Sequence, residues 1–194
     1  MLCVNNRRTR DRLPMRNTDW FNYGGVYREV ELFETPQTVI RDLFLYLDDD
    51  GIHVEAAVDG PATQAKLAIP RLDLATTLTL TNGRAQTILQ AQPDLWSPEN
   101  PVLYDVTLSA GGDSVGDRVG FRRIERRGTR ILLNGQPVFL RGISVHEDDE
   151  LQGKLTSEAD IRRRFAHARE LGCNFLRLAH YPHHEMAARI ADEM

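Results

Sequence analysis

Two histidines stand where apolar, strand-like runs break off: His146 after Phe139-Leu140-Arg141-Gly142-Ile143-Ser144-Val145, and His180 after Asn174-Phe175-Leu176-Arg177-Leu178-Ala179. An imidazole donates from one nitrogen and accepts at the other, so such a pair can read hydroxyl groups. Zinc would also accept imidazoles, and His183 and His184 lie near His180, but the spacing and the supporting partners of a zinc site are missing. The run Glu147-Asp148-Asp149-Glu150 offers carboxyls. Adjacent residues on one loop seldom converge on a common atom, so a solvated acidic loop is the simpler reading. Arg141 and Arg177 lie inside the two runs. A buried arginine must be paired, so each is either a brace for a carboxylate or an outward-facing side chain.

The elements around the histidines follow from pattern. Thr156-Ser157-Glu158-Ala159-Asp160 is a helix start, with Ser157 or Thr156 as cap. Ile161, Phe165, Ala168 and Leu171 share one face at helical spacing, and Gly172 supplies the stop. Strand, helix and strand make a βαβ unit, whose crossover should be right-handed and whose strands should be parallel. Parallel strands end on one side of a sheet. His146 and His180 are therefore expected side by side, on the rim where α/β folds place ligands. A second helix begins near His184 with the stripe Met186, Ile190, Met194. His183 and His184 are expected to be exposed at its start.

Upstream the period changes. Residues 37–122 read as an all-β sandwich of about seven short strands, immunoglobulin-like in spacing. Val39, Leu43, Leu45 and Leu47 alternate along the first strand, Asp48-Asp49-Asp50-Gly51 forms a turn, and Asn82-Gly83 is a hairpin signal. Residues 1–35 look like the end of another domain. Leu2-Cys3-Val4 reads as a strand, and Val26-Tyr27-Arg28-Glu29-Val30-Glu31-Leu32 alternates like a half-buried one. The expected division is 1–36, 37–122 and 123–194.

Lys+Arg 24 nearly balances Asp+Glu 28, so nothing global argues for nucleic acid or an anionic membrane. The basic run Arg7-Arg8-Thr9-Arg10-Asp11-Arg12 reads as a solvated loop or edge strand. No apolar run approaches the ~20 residues needed to span a bilayer, and Met1-Leu2-Cys3-Val4 is too short for a signal-peptide core. Cys3 and Cys173 sit in no pairing motif. No disulfide is expected, which fits a reducing compartment such as the cytoplasm, and Cys173 is expected to be a buried free thiol.

The stretch from Asn134-Gly135-Gln136-Pro137-Val138 through Arg141-Gly142 to His146-Glu147, followed by Arg177-Leu178-Ala179-His180-Tyr181-Pro182, resembles the opening of the catalytic barrel of glycoside hydrolase family 2. That family contains β-galactosidases, β-glucuronidases and β-mannosidases. Leu95-Trp96-Ser97-Pro98-Glu99-Asn100-Pro101-Val102-Leu103-Tyr104 is similar to a stretch of its central sandwich. Asn17-Thr18-Asp19-Trp20-Phe21-Asn22-Tyr23-Gly24-Gly25 resembles the segment where its first, jelly-roll domain reaches the barrel.

The resemblance implies a multidomain β plus α/β chain. It would comprise the end of a jelly-roll domain, an immunoglobulin-like sandwich and the first βαβα part of a TIM (β/α)8 barrel. It implies a fragment of a retaining hydrolase of terminal β-linked sugars, a β-galactoside or β-glucuronide. Asp19, His146, Arg177 and His180 would contact or brace the sugar, while Trp20, Phe21 and Tyr23 go mostly to packing. The matching Asp helps hold a sodium ion in the galactosidase branch.

The acid/base and the nucleophile, both glutamates, are expected beyond Met194. No cofactor is required, sodium or magnesium is allowed in the intact enzyme, and a homo-oligomeric parent is allowed too. The expected partner is a carbohydrate, with neither nucleic acid nor membrane. A non-catalytic sandwich module that binds carbohydrate or protein is the rival. The βαβ unit argues against it.

Overall fold

Asp49-Asp50 and Asn82-Gly83 are similar turn signals with different outcomes. In the computed structural model, which describes residues 3–12, 16, 20, 21 and 23–194, the first closes a hairpin between β1 (Val39–Asp48) and β2 (Gly51–Asp59). The second has both residues at positive φ, 51° and 74°, as a type I′ turn requires. Its flanks, Thr81 and Arg84, exchange backbone hydrogen bonds of 2.8 and 3.1 Å. Yet this turn joins no two strands of one sheet. It carries the chain from β4 (Leu74–Thr79) to β5 (Arg84–Leu89), which lie in different sheets. A side chain on Gly83 would collide with the Val58 carbonyl, so the turn packs directly on β2.

β5 joins β1 and β2 in a three-stranded antiparallel sheet of order β1-β2-β5. β3 (Gln64–Ile69), β6 (Tyr104–Ala110) and β7 (Asp113–Val119) join β4 in a second antiparallel sheet, of order β4-β3-β6-β7. The period-2 pattern turns Leu45, Ile52, Val54, Ala56 and Val58 of the first sheet inward against Leu67, Ile69, Leu78, Val106 and Leu108 of the second. Tyr104 and Phe121 complete this core, with ring centroids 5.5 Å apart. The Tyr104 hydroxyl accepts the Asp94 N–H at 2.7 Å, so its burial leaves no orphaned polar atom.

A bulge between Ile40 and Asp42 shifts the register of β1. Ile40, not Val39, therefore enters the core. The span 37–122 contains one helical turn, the 3-10 turn Pro70–Leu72. A small antiparallel sheet follows, of order β10-β9-β8, made by β8 (Ile124–Arg127), β9 (Arg130–Leu133) and β10 (Gln136–Val138).

Next come β11 (Gly142–Val145), α1 (Glu158–Glu170), β12 (Phe175–Leu178) and α2 (Met186–Glu193). The chain divides into two compact units, residues 1–32 with 142–187 and residues 33–141 with 188–194. The sequence boundary at 122/123 falls inside the second. Among the described residues no helix is long and apolar enough to cross a membrane. Cys3 and Cys173 are free thiols, and Cys173 is half-buried rather than buried.

Two expectations for the N-terminal segment fail. Cys3 and Val4 are not in a strand, Leu2 lies outside the described residues, and residues 26–32 are irregular and largely exposed. A strand is held by its neighbour's ladder, and no described segment pairs with 26–32. Alternation alone cannot supply that neighbour.

α1 starts as its sequence requires. Ser157 is the cap, its hydroxyl accepts the Asp160 N–H, and the Asp160 carboxylate accepts the Ser157 N–H at 3.0 Å. Ile161, Phe165 and Ala168 are buried, but Leu171 is 72% exposed at the C-cap. The helix face has turned away from its core by that residue.

The Ser157 hydroxyl and N–H, then Arg163, hold the Asp160 carboxyl down from its ordinary 3.8 to about 2. Its contribution to stability is complete above the unfolded value and is lost as pH falls through about 2. Helix content followed by circular dichroism should therefore decline in this acid window. Asp160→Asn should flatten that decline, and an unchanged acid profile would contradict the box.

Candidate functional site

β11 and β12 pair in parallel, Gly142↔Phe175 to Val145↔Leu178, and the Ala179 N–H extends the ladder to the Val145 carbonyl at 3.1 Å. A side chain on Gly142 would collide with the Phe175 carbonyl, so glycine is needed for this close approach. Both strands stop on one side. His146 and His180 emerge together there, their rings edge-to-face with centroids 5.4 Å apart. The peptide between Ala179 and His180 is cis. His146 Nδ1 lies 3.8 Å from Asp148 Oδ2, and the Trp20 ring lies 5.8 Å from that of His180.

Of the other sequence-selected residues, Asp19 lies outside the described residues. Arg177, in register with Ser144, is exposed, and its side chain makes no hydrogen bond or ion pair among them. Arg141 is exposed as well. Trp20 packs beside His180 and Tyr181. Phe21 and Tyr23 meet each other at 6.1 Å and stay largely exposed, so they are not core aromatics.

The acidic loop is not uniformly solvated. Glu147 is 2% exposed. Its carboxylate pairs with the Arg28 guanidinium and accepts the His184 N–H at 2.5 Å. Successive side chains along a strand point to opposite faces, and the two residues that follow β11 differ in the same way, His146 being half-buried and Glu147 buried. His146 and Glu147 separate accordingly, one to the rim and one inward.

His183 and His184 are not exposed either. The His183 side chain is 4% exposed. Its Nε2 lies 2.9 Å from the Ala179 carbonyl, and its ring stacks on Tyr181 at 5.0 Å. His184 Nδ1 accepts the Met186 N–H at 3.1 Å, at the start of α2. These bonds commit both rings to structure. Among the described residues no three His, Cys, Asp or Glu side chains form a metal-binding group.

A buried cluster underlies the two histidines. Lys154 is 5% exposed, and its Nζ sits 2.9 Å from the centre of the Tyr181 ring, an attractive site for a cation. Burial pushes the Lys154 ammonium down from its usual value, and Asp148 and Glu147 oppose that shift. Burial also pushes the Tyr181 phenol up to about 12, with Asp148 and Glu147 adding to the rise and the Glu147 N–H opposing it. Tyr181 is therefore a neutral hydrogen-bonding group at any working pH. Sequence reading missed Arg28, Lys154 and Tyr181 as members of this site. Only Tyr181 carried a signal, its place directly after His180.

The arrangement defines a class first: a β-sandwich chain that also carries a parallel strand–helix–strand unit with a polar, imidazole-lined strand-end rim. Two family profiles match it. "Glycosyl hydrolases family 2" covers residues 39–122, and "Glycosyl hydrolases family 2, TIM barrel domain" covers 124–194. The chain belongs to glycoside hydrolase family 2.

A β-galactosidase of Arthrobacter sp. (strain B7) is 31% identical, over 88% of this chain and 17% of the relative. A β-glucuronidase of Paenibacillus borealis is 28% identical, over 90% of this chain and 31% of the relative. The apo structure of Bacteroides uniformis β-glucuronidase 3 aligns with TM-score 0.83 and 28% identity, over 98% of this chain and 26% of that one. The chain thus spans less than a third of these relatives' lengths.

Proposed function

We propose that this chain forms one side of the sugar pocket of a retaining glycoside hydrolase that cleaves terminal β-linked galactosides or glucuronides. The edge-to-face pair of His146 and His180 at adjacent parallel strand ends carries the reading. Imidazoles so placed can each give or take one hydrogen bond from a sugar hydroxyl, and such bonds tighten as the ring flattens towards an oxocarbenium ion. Arg177, exposed beyond Ser144, is available to brace a carboxylate supplied by another part of the enzyme. Asp19 is proposed as a further sugar contact, on the resemblance of its segment alone.

The layout that goes with this reading is the end of a jelly-roll domain at 1–36, an immunoglobulin-like sandwich at 37–122 and the first βαβα part of a TIM barrel at 123–194. The two profile matches support the last two parts. The nucleophile and the acid/base are proposed to be glutamates further along the polypeptide. A downstream strand-end Asn-Glu pair and a second strand-end Glu in the gene would support this.

In the intact enzyme, His180→Ala should lower kcat/KM by roughly tenfold to several hundredfold. That range corresponds to about 1–3 kcal/mol for an unpaired buried hydrogen-bonding group. Steady-state kinetics on an aryl β-galactoside and an aryl β-glucuronide check it. An unchanged kcat/KM on the substrate that the enzyme turns over would remove the sugar-contact role.

A further inference from the structure

Tyr181 follows His180 in the chain and also reaches the other strand end. Its hydroxyl oxygen accepts the Glu147 N–H at 2.9 Å, on the residue directly after His146. Asp148 comes next, with its Oδ2 3.8 Å from His146 Nδ1, so the peptide that the Tyr181 hydroxyl holds lies between those two side chains. The Tyr181 ring meets His146 edge-on at 5.7 Å and lies flat against His183 at 5.0 Å. Lys154 Nζ rests on the ring, 2.9 Å from its centre.

Among the described residues His146 has no polar partner nearer than Asp148. The placement of that imidazole therefore depends on what holds the Glu147 peptide beside it, and that N–H is held by the Tyr181 phenol. The phenol is in turn pinned by a buried ammonium, which would lose its ring partner if the phenol moved.

We propose that Tyr181, seated under Lys154, is a positioning residue that fixes the spacing and ring orientation of His146 and His180 through its bond from the Glu147 N–H and its edge-on contact with the His146 ring. Its consequence for turnover rests on the sugar-contact reading above; the clamp itself does not. Tyr181→Phe keeps the ring and the cation contact but removes the hydroxyl. Lys154→Met keeps the hydroxyl but removes the cation.

The test is the ring 15N spectrum of the histidines, recorded at neutral pH on the 194-residue chain and on both variants. These signals report which ring nitrogen carries the proton and how the ring is held. The His146 signals should move or broaden in Tyr181→Phe, and those of His146 or His180 in Lys154→Met. His53, whose Nε2 lies 2.6 Å from Asp50 in the sandwich, should be unchanged as the internal control. His146 and His180 signals that superpose on the parent's in both variants would overturn the clamp.

In the intact enzyme, Tyr181→Phe should lower kcat per titrated active site roughly tenfold to a hundredfold, with KM changed less than about threefold, as expected for misplaced reacting geometry. A purely structural loss would reduce the number of active sites and leave kcat per site unchanged, which counts against the positioning role. If His146→Ala has no effect on kcat/KM, the sugar-contact reading fails, while the ring spectra still judge the clamp.

Discussion

The 194-residue chain by itself is expected to leave aryl β-galactosides and aryl β-glucuronides unhydrolysed above background. Retaining hydrolysis needs two carboxyl groups about 5–5.5 Å apart, one to attack and one to move the proton. The carboxylate nearest in sequence to the histidine rim is Glu147, and it is committed elsewhere. It is buried against Arg28 and bonded by the His184 N–H. Asp148 lies on the same loop, its Oδ2 facing His146 Nδ1 at 3.8 Å.

The two-stranded parallel sheet also leaves Ile143, Phe175 and Leu178 exposed. Parallel sheets normally carry a layer on each face, and uncovered strand edges favour association over function. A discontinuous assay on purified chain, extended to hours, is the measurement. Sustained turnover that Glu147→Gln abolishes would place the catalytic acid inside this chain and refute the proposed downstream pair.

Glu147→Ala is expected to destabilise the strand–helix–strand unit by about 3 kcal/mol, at the lower end of the range for breaking a buried ion pair because one partner keeps some solvent. Arg28 is 28% exposed against 2% for Glu147, so the stranded guanidinium recovers part of its hydration. The His184 N–H loses its acceptor in the same substitution. Glu147→Gln should cost less, since an amide oxygen can still accept that bond.

Hydrogen exchange separates the two units. Amides within 142–187 should lose protection, whereas those of Ile52, Val54, Leu67 and Val106 in the sandwich core should keep theirs. Equal protection of 142–187 in the parent and in Glu147→Ala would show that the ion pair contributes little.

Local pattern made most of the elements legible. Period-2 alternation found the strands of the sandwich, because one face of each antiparallel strand is buried and the other solvated. Ser157 and Asp160 marked the start of α1, because a cap is satisfied within four residues of chain. The paired strand-to-histidine breaks placed His146 and His180 at one rim, because parallel strands joined through a helix must end on the same side.

Pattern failed where a partner distant in sequence decides the outcome. Residues 26–32 alternate like a strand and have no neighbour to pair with among the described residues. The Asn82-Gly83 turn has hairpin geometry, but the chain switches sheets there. The Glu147-Asp148-Asp149-Glu150 run looked solvated because composition does not reveal that one of its members meets Arg28, 119 residues away.

The sequence by itself determined the family, the strand–helix–strand order and the histidine pair, since each of these is written in spacing and residue type over short stretches. Only the tertiary structure decided which charges are buried. The inward turn of Glu147 onto Arg28 and His184 and the seat of Lys154 on Tyr181 each depend on contacts between segments far apart in the chain. A charged side chain can leave water only where opposite charges, ring faces and backbone groups from other segments converge on it. That convergence is a property of the folded arrangement, and no local stretch of residues encodes it.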